Sequence, residues 1–362
     1  MHRGDLQRAS IRSARSEIRR FHGGTRLKAI WLCTILALVL ALPTAQARQN
    51  DGRPEGKKTA MQHEYATVNG VKLHYVTRGK GQVILFLHGF PEFWYEWKNQ
   101  IAEFSKDYQV VAPDMRGYNL SDKPAKVEDY SIPLLVEDIR ALLEKVSKGR
   151  KAILVAHDWG GALAWIYAAQ YPGTLDKLVI INAPHPTIFA RELQSNPKQQ
   201  QASSYMTFFQ SQGAETALSA NNFAMLDAGV FATNRPDAFS AEDKQAYHAA
   251  WGQPGALTGG LNYYRAANLA PPSKTSAGKV DGKEPDKKES TLSSVPLPIV
   301  QTPTLVLWGE KDTALLSGNL EGLEKVVKTL TVKRIPSAGH WIVHEEPETV
   351  NRAIREFLQS PK

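Results

Sequence analysis

Four apolar runs, each ending on a polar or glycine-bearing tip, set the rhythm of the chain: VILFLH (83–88), YQVVAPDM (108–115), KAILVAH (151–157) and KLVIINAP (177–184). Short, continuous and rich in Val, Ile and Leu, they read as strands buried on both faces. Between them, IPLLVEDIRALLEKV (132–146) and GALAWIYAAQ (161–170) repeat their apolar positions at helical spacing. Buried strands alternating with such helices predict a mostly parallel sheet covered on both sides, an α/β fold. Ahead of the first run, YATVNGVKLHYVTRG (65–79) predicts two short strands around Asn69-Gly70, a strong hairpin dipeptide.

The regime changes near residue 185. From there to about 270 the chain is rich in Ala, Gln, Asn, Phe and Tyr, lacks β-branched runs, and reads as several helices. The polar stretch PSKTSAGKVDGKEPDKKES (272–290) is expected to be an exposed excursion. The sheet pattern resumes with PTLVLWGEKD (303–312) and LTVKRIP (330–336), and a last helix falls around 346–359. The organisation expected is a core in two parts, 60–184 and 296–362, interrupted by a helical insert over 185–295.

At 362 residues, 42% of them hydrophobic, the chain can bury one large core. Its net charge of +8 invites a nucleic-acid reading, which the distribution of that charge opposes. Residues 1–47 hold eight Lys/Arg and two Asp/Glu, which leaves +2 for a remainder with no basic stripe. Nucleic acid is not an expected partner. Arg19, Arg20, Arg26 and Lys28 instead precede AIWLCTILALVLAL (29–42), followed by small residues at Ala45 and Ala47. A basic flank, an apolar stretch and an A-x-A site have the form of a secretory signal peptide. The stretch is also shorter than the roughly 20 residues of a bilayer span. Residues 1–47 are therefore expected to be a signal, or in the alternative a membrane anchor over 29–47, with 48–59 a polar linker. The mature chain is expected to be periplasmic or secreted, with no membrane span. Cys33, the only cysteine, lies in the apolar stretch, so a chain starting at Arg48 has no thiol nucleophile and no disulfide.

The candidate chemistry sits at strand tips. VAHDWGG (155–161) puts Asp158 at a strand-to-helix elbow, with Gly160 and Gly161 expected to allow a tight turn. Hydrolases with such an elbow usually carry serine, in Gly-x-Ser-x-Gly. Other tips bear HGFP (88–91), Glu310 and Asp312 after PTLVLWG, and SAGHW with His340. A parallel sheet gathers these carboxyl ends on one edge. The order nucleophile, acid, histidine is that of a hydrolase triad. A carboxylate nucleophile suits attack on an sp³ carbon that bears a leaving group, giving an alkyl ester. Water activated by a histidine base can then attack the ester carbonyl. Asp312, farther into its loop than Glu310, is preferred as the group orienting His340. His157 adjoins the nucleophile but is not aimed along it. A helix cap for Asp158 and a core role for His340 are the bland alternatives. The amides of Phe90 and Trp159 are expected to form an oxyanion hole, with His88, Gly89 and Pro91 supporting the turn. The other histidines are scattered without ligand spacing, so neither a metal nor a cofactor is expected.

Several blocks, HGFPEFWYEW (88–97), APDMRGYNLSDKP (112–124), AHDWGG (156–161), LNYYRA (261–266) and GHW (339–341), look like those of the epoxide hydrolases of the α/β-hydrolase fold. The resemblance spans roughly 60–360. It implies an α/β-hydrolase core with an inserted helical cap over the nucleophile, and two cap tyrosines that hydrogen-bond the epoxide oxygen. SYMTFFQ (204–210) points to Tyr205, and NYYR (262–265) to Tyr264, with Tyr263 the choice if the register slips. A phenol with pKa near 10 stays neutral beforehand and can protonate an alkoxide, although both tyrosines also suit cap packing. The implied reaction is hydrolysis of an epoxide to a vicinal diol. The apolar, aromatic insert implies a small, mainly apolar substrate alongside water. Three features depart from the family: Ala156 where glycine is common, the long excursion at 272–290, and the export signal.

Two rivals share the same elbow. A hydrolytic dehalogenase would use Asp158, His340 and Asp312 as well. Haloacetate enzymes, however, follow the nucleophile with arginines where this chain has Trp159, Leu163 and Ala164. Haloalkane enzymes often carry asparagine where Phe90 stands. An inactive binding protein on the same fold predicts a broken constellation, whereas all three residues are present.

Overall fold

The computed structural model describes residues 60–272 and 297–360; the expected signal with Cys33, the linker at 48–59 and the excursion beyond Pro272 lie outside the described residues. Strands β1 (Gln62–Val68) and β2 (Val71–Arg78) pair antiparallel. Between them Asn69 and Gly70 both take positive φ, 47° and 78°, as a tight two-residue turn requires. The apolar runs become β3 (Val83–Leu87), β4 (Gln109–Pro113), β5 (Ala152–His157), β6 (Leu175–Ile181), β7 (Thr304–Gly309) and β8 (Leu330–Ile335). They form one eight-stranded sheet in the order β1-β2-β4-β3-β5-β6-β7-β8. Pairing is antiparallel as far as β4 and parallel from there on. Every residue of β3, β5 and β7 is buried, which is why their sequences show no polar alternation.

The order reverses at β3. Its chain continues to β4 on one side and later to β5 on the other, so the tips of β3 and β5 flank the crevice of a topological switch point. Leu87 pairs with Ala156 there, which sets Gly89 beside Asp158. Helices α2 (Ile132–Ser147) and α3 (Asp158–Gln170) cover the sheet. The sequence pattern did not show a short 3₁₀ turn at Trp94–Trp97 and α1 (Lys98–Phe104), which follow the β3 tip. Beyond β8 come α10 (Ile342–Glu345) and α11 (Pro347–Gln359), the latter on the expected last helix.

Between β6 and β7 the insert is helical: α4 (Pro186–Ser195), α5 (Pro197–Ala202), α6 (Tyr205–Phe209), α7 (Ala214–Val230), α8 (Ala241–Trp251) and α9 (Ala256–Ala267). Helix α7 is interrupted at Ala220–Phe223, where Asn221, Asn222 and Phe223 are left-handed. Polar bonds moor this cap to the core. The Trp251 indole donates to Pro91 O at 2.7 Å, and Tyr95 and Lys98 both bind Asp243. Closest of all is α9 against the loop after β4. A Cβ on Gly259 would lie 2.3 Å from Gly117 O, and one on Gly260 would lie 2.7 Å from the Phe90 ring. Only glycine lets the two backbones approach this far, and the approach fixes which face of α9 looks at the nucleophile.

Candidate active site

Asp158 is the first residue of α3 and has φ of 47°. Left-handed backbone costs a non-glycine residue about 1–2 kcal/mol, with aspartate among the more tolerant. The turn thus projects its carboxylate from the sheet edge. Gly160 and Gly161 act differently from the expected turn-making role. Neither has a positive φ; a Cβ on Gly160 would lie 2.4 Å from Leu87 O, and one on Gly161 2.3 Å from the Ala183 Cβ. They let α3 lie close against its neighbouring strands while Asp158 itself bears the strain. Gly89 serves the same elbow, since a Cβ there would collide with the Asp158 side chain at 2.3 Å.

The Phe90 amide donates to Asp158 Oδ1 at 2.8 Å. His88 steadies this turn: its Nε2 accepts from the Met115 amide at 2.9 Å, which leaves Nδ1–H to donate to Gly89 O at 2.8 Å. The Phe90–Pro91 bond is cis. The Trp159 amide makes no hydrogen bond to Asp158 among the described residues; its place is directly after the nucleophile, at the start of α3.

On the other side of the nucleophile, His340 Nε2 lies 3.8 Å from Asp158 Oδ2, and Nδ1 lies 2.8 Å from Asp312 Oδ2. Asp312 is buried and clamped. Its Oδ1 accepts from the amides of Ala314 and Leu315, and its Oδ2 from Asn182 Nδ2, each at 2.8 Å. Glu310, the other candidate on this loop, turns outward to Arg334 at 3.1 Å. Asn182 escaped the sequence reading although it ends the run KLVII, a signal of the same kind as the other tips. It also accepts from the Gly309 amide at 2.8 Å, which ties the ends of β6 and β7 together.

From the cap, Tyr205 and Tyr264 line one cavity of about 300 Å³ with Asp158 and His340. Their rings are 6.3 Å apart, and Phe209 and Phe90 pack edge-on against Tyr264 at 5.0 and 5.6 Å. Tyr263 points the other way, and its hydroxyl donates to Arg116 O at 2.8 Å.

The charges follow from burial and neighbours. Burial pushes both cap phenols well above their ordinary pKa, and the Asp158 charge adds to the shift, so they remain proton donors. Burial by itself would lower the pKa of His340. The charge and hydrogen bond of Asp312, with Asp158 and Glu96 behind them, outweigh it and raise it to about 9. Asp312 moves oppositely: burial favours its neutral form, yet facing His340 holds it below the usual carboxylate range.

A buried polar cluster beneath the site was not foreseen. Glu96 Oε1 lies 2.7 Å from His157 Nδ1, and His157 Nε2 faces the His340 carbonyl at 3.0 Å. Burial pushes Glu96 well above its usual pKa and lowers His157 to about 4. His157 is thereby held neutral and directed away from the nucleophile, against the backbone of His340. Glu92, bonded to Tyr247 and His344, lies beside this pair. A separate pair, His74 Nδ1 to Asp114 Oδ2 at 2.7 Å, braces the loop after β4, where Asp114 also holds the Trp94 amide and Asn119. Among the described residues no group of three or more His, Cys, Asp or Glu is placed to hold a metal. Nor, among them, is any helix long and apolar enough to cross a membrane.

Comparison with known proteins agrees with this geometry. The profile of the α/β-hydrolase fold family matches residues 82–347. Epoxide hydrolase 1 of Caenorhabditis elegans is 38% identical over 305 residues, covering 81% of this chain and 69% of that protein. Epoxide hydrolase 4 of Mus musculus is 37% identical over 304 residues, covering 80% and 77%. The crystal structure of an epoxide hydrolase from Bacillus megaterium, bound to an inhibitor, superposes with a TM-score of 0.73 at 38% identity, covering 82% of this chain and all of that one. With that similarity running through core and cap alike, this chain belongs to the epoxide hydrolases of the α/β-hydrolase fold family.

Proposed function

We propose that the protein hydrolyses epoxides to vicinal diols through a covalent ester on Asp158. The observation that carries this reading is the meeting of a carboxylate and two cap phenols across one mainly apolar cavity. Tyr205 and Tyr264 donate hydrogen bonds to the epoxide oxygen. As an Asp158 oxygen attacks a ring carbon, the carbon–oxygen bond breaks, and the alkoxide takes a proton from a phenol. A dehalogenase has no alkoxide to protonate and gives this phenol pair no work.

The second half of the reaction follows from the change in charge. The Asp158 carboxylate helps to raise the His340 pKa; once esterified, it no longer does. His340 then releases its proton more readily and becomes a base for water, held in orientation by Asp312. Water attacks the ester carbonyl, and the developing oxyanion is stabilised by the amides of Phe90 and Trp159. Collapse of the tetrahedral intermediate passes the remaining proton of the attacking water to the departing alkoxide, which frees the diol and regenerates the Asp158 carboxylate. The proton taken by His340 restores the phenol, and His340, facing that carboxylate again, regains from solvent the proton it had released. His340 Nε2 stands 3.8 Å from Asp158 Oδ2, close enough to act on that carboxyl group through one water.

The test is to trap the ester. His340→Ala can still be alkylated but lacks its water-activating base. Treated with epibromohydrin, it is expected to gain a stable adduct at Asp158 that keeps the bromine isotope pair. Intact-protein mass spectrometry with peptide mapping reads the result. Loss of bromine from the adduct would point to dehalogenation, and no adduct with this or larger epoxides would remove the covalent mechanism.

A further inference from the structure

Two arms of very unequal size leave the nucleophile, and Asp158, Tyr205 and Tyr264 border both. The larger, of about 300 Å³, runs between Phe208, Phe209, Leu218, Met225, Leu226 and Val230. Met225 on its wall is 50% exposed. The smaller, of about 30 Å³, is lined by Ala162, Pro184, Phe189, Met206, Leu269 and Leu315, all of them buried. One water-sized group needs roughly 10–15 Å³ of such space. The small arm therefore accepts one or two non-hydrogen atoms, and the large arm accepts a whole chain or ring system. Both walls are apolar, so neither offers a partner to a polar substituent.

Resting on the epoxide reading above, we infer that the enzyme selects epoxides whose bulk hangs from one ring carbon. These are terminal 1,2-epoxides with a single apolar arm, and Phe189 and Met206 set the selection by narrowing the other side. With the oxygen held between the two phenols and Asp158 beneath the ring, the substituents on the two carbons must enter opposite arms. A propyl group on each carbon overfills the small arm. A hexyl group on one carbon fits the large arm and leaves the other side to hydrogen.

The pair 1,2-epoxyoctane and trans-4,5-epoxyoctane tests this, because the isomers share one formula and differ in where the carbons hang. kcat/KM is expected to favour the terminal isomer by about 10²-fold or more, on the scale of a misfit of one or two methylenes in an apolar pocket. Part of that ratio reflects the greater intrinsic reactivity of an unsubstituted carbon, so the variants carry the decision. Phe189→Leu and Met206→Ala, each checked for a cooperative thermal unfolding transition, are expected to narrow the ratio at least about tenfold by admitting the internal isomer. In the opposite arm, Leu226→Trp is expected to depress turnover of 1,2-epoxyoctane far more than that of 1,2-epoxypropane, whose methyl group does not reach it. Comparable kcat/KM values for the two isomers, or a ratio unmoved in both folded variants, would overturn the inference. Absence of diol from every epoxide would instead overturn the epoxide reading, and the selectivity would fall with it.

Discussion

Asp312 and Tyr264 both serve the space above Asp158, yet the molecule holds them by different means. Asp312 stands on the core wall and has a polar partner for each oxygen: two loop amides, Asn182 and His340. Tyr264 stands on the cap wall and is placed by ring packing against Phe90, Phe209 and Trp159, by a hydrogen bond with the Trp159 side chain, and by the close seat of α9 on Gly117. The core wall is built of charge-assisted hydrogen bonds, which fix direction closely. The cap wall is built mainly of apolar contact, which fixes volume and tolerates exchange. On the proposed mechanism, breakdown of the ester depends on the first wall, whereas ring opening and the choice among substrates depend on the second.

The division can be broken most severely at the core wall. Asp312→Asn is expected to lower kcat by about 10³–10⁴-fold, as neutralising the orienting acid does in a hydrolase triad. Rapid-mixing kinetics should show the ester still forming in a burst and then persisting; an equal loss in the burst rate would show that the two half-reactions are not separable in this way. The same substitution should flatten a pH dependence of stability. The His340 pKa is raised from 6.5 to about 9 in the folded protein, so its contribution is complete below pH 6.5 and is lost as pH rises through 9. The full shift corresponds to about 3 kcal/mol. Thermal unfolding of the unsubstituted protein should weaken across that window, and the Asp312→Asn protein should weaken much less.

At the cap wall the loss should be smaller and fall on the other half-reaction. Tyr205→Phe and Tyr264→Phe are each expected to slow the alkylation burst about 10- to 100-fold, leaving the second donor in place. Ester hydrolysis should change little, since neither phenol touches the attacking water. Slowed ester breakdown with an intact burst would reverse these assignments.

The smallest effect lies where the walls meet. The Trp341 indole donates to Gly229 O at 2.9 Å, tying the residue after His340 to the last turn of α7. Trp341→Phe leaves a smaller aromatic ring in place and removes that bond, a loss of about 0.5–1.5 kcal/mol for the hydrogen bond itself. KM is expected to rise about two- to tenfold with little change in kcat; a larger fall in kcat than rise in KM would place Trp341 in the chemistry itself.

Much of the core wall was legible before any tertiary structure. Runs such as KAILVAH and PTLVLWG are local, and a parallel sheet has one carboxyl edge, so Asp158, Asp312 and His340 could be gathered from the pattern alone. Other features were not. Glu310 and Asp312 lie two residues apart on one loop, and only the position of Asn182, from a different strand, makes the second the buried one. Glu96 and His157 meet across sixty residues with no shared period, and nothing local marks either as half of a pair. The glycines after the nucleophile were legible as special but for a different reason from the one expected: they relieve close packing, and Asp158 takes the left-handed turn.

The sequence by itself determined the sheet, the carboxylate at the elbow and the kind of residue that meets it, because each is written in local period or local turn chemistry. The resemblance pointed to Tyr264 rather than Tyr263, but only the tertiary structure gives the physical reason that this one of two adjacent tyrosines faces the nucleophile. Neighbours on a helix point about 100° apart, and the contact of Gly259 with Gly117 sets the rotation. Tertiary structure also decided that one arm of the cavity is narrow and the other wide, since those walls come from α3, α4, α6, α7 and the loops beyond β6, α9 and β7. A volume bounded by residues so far apart in the chain exists only once they have packed.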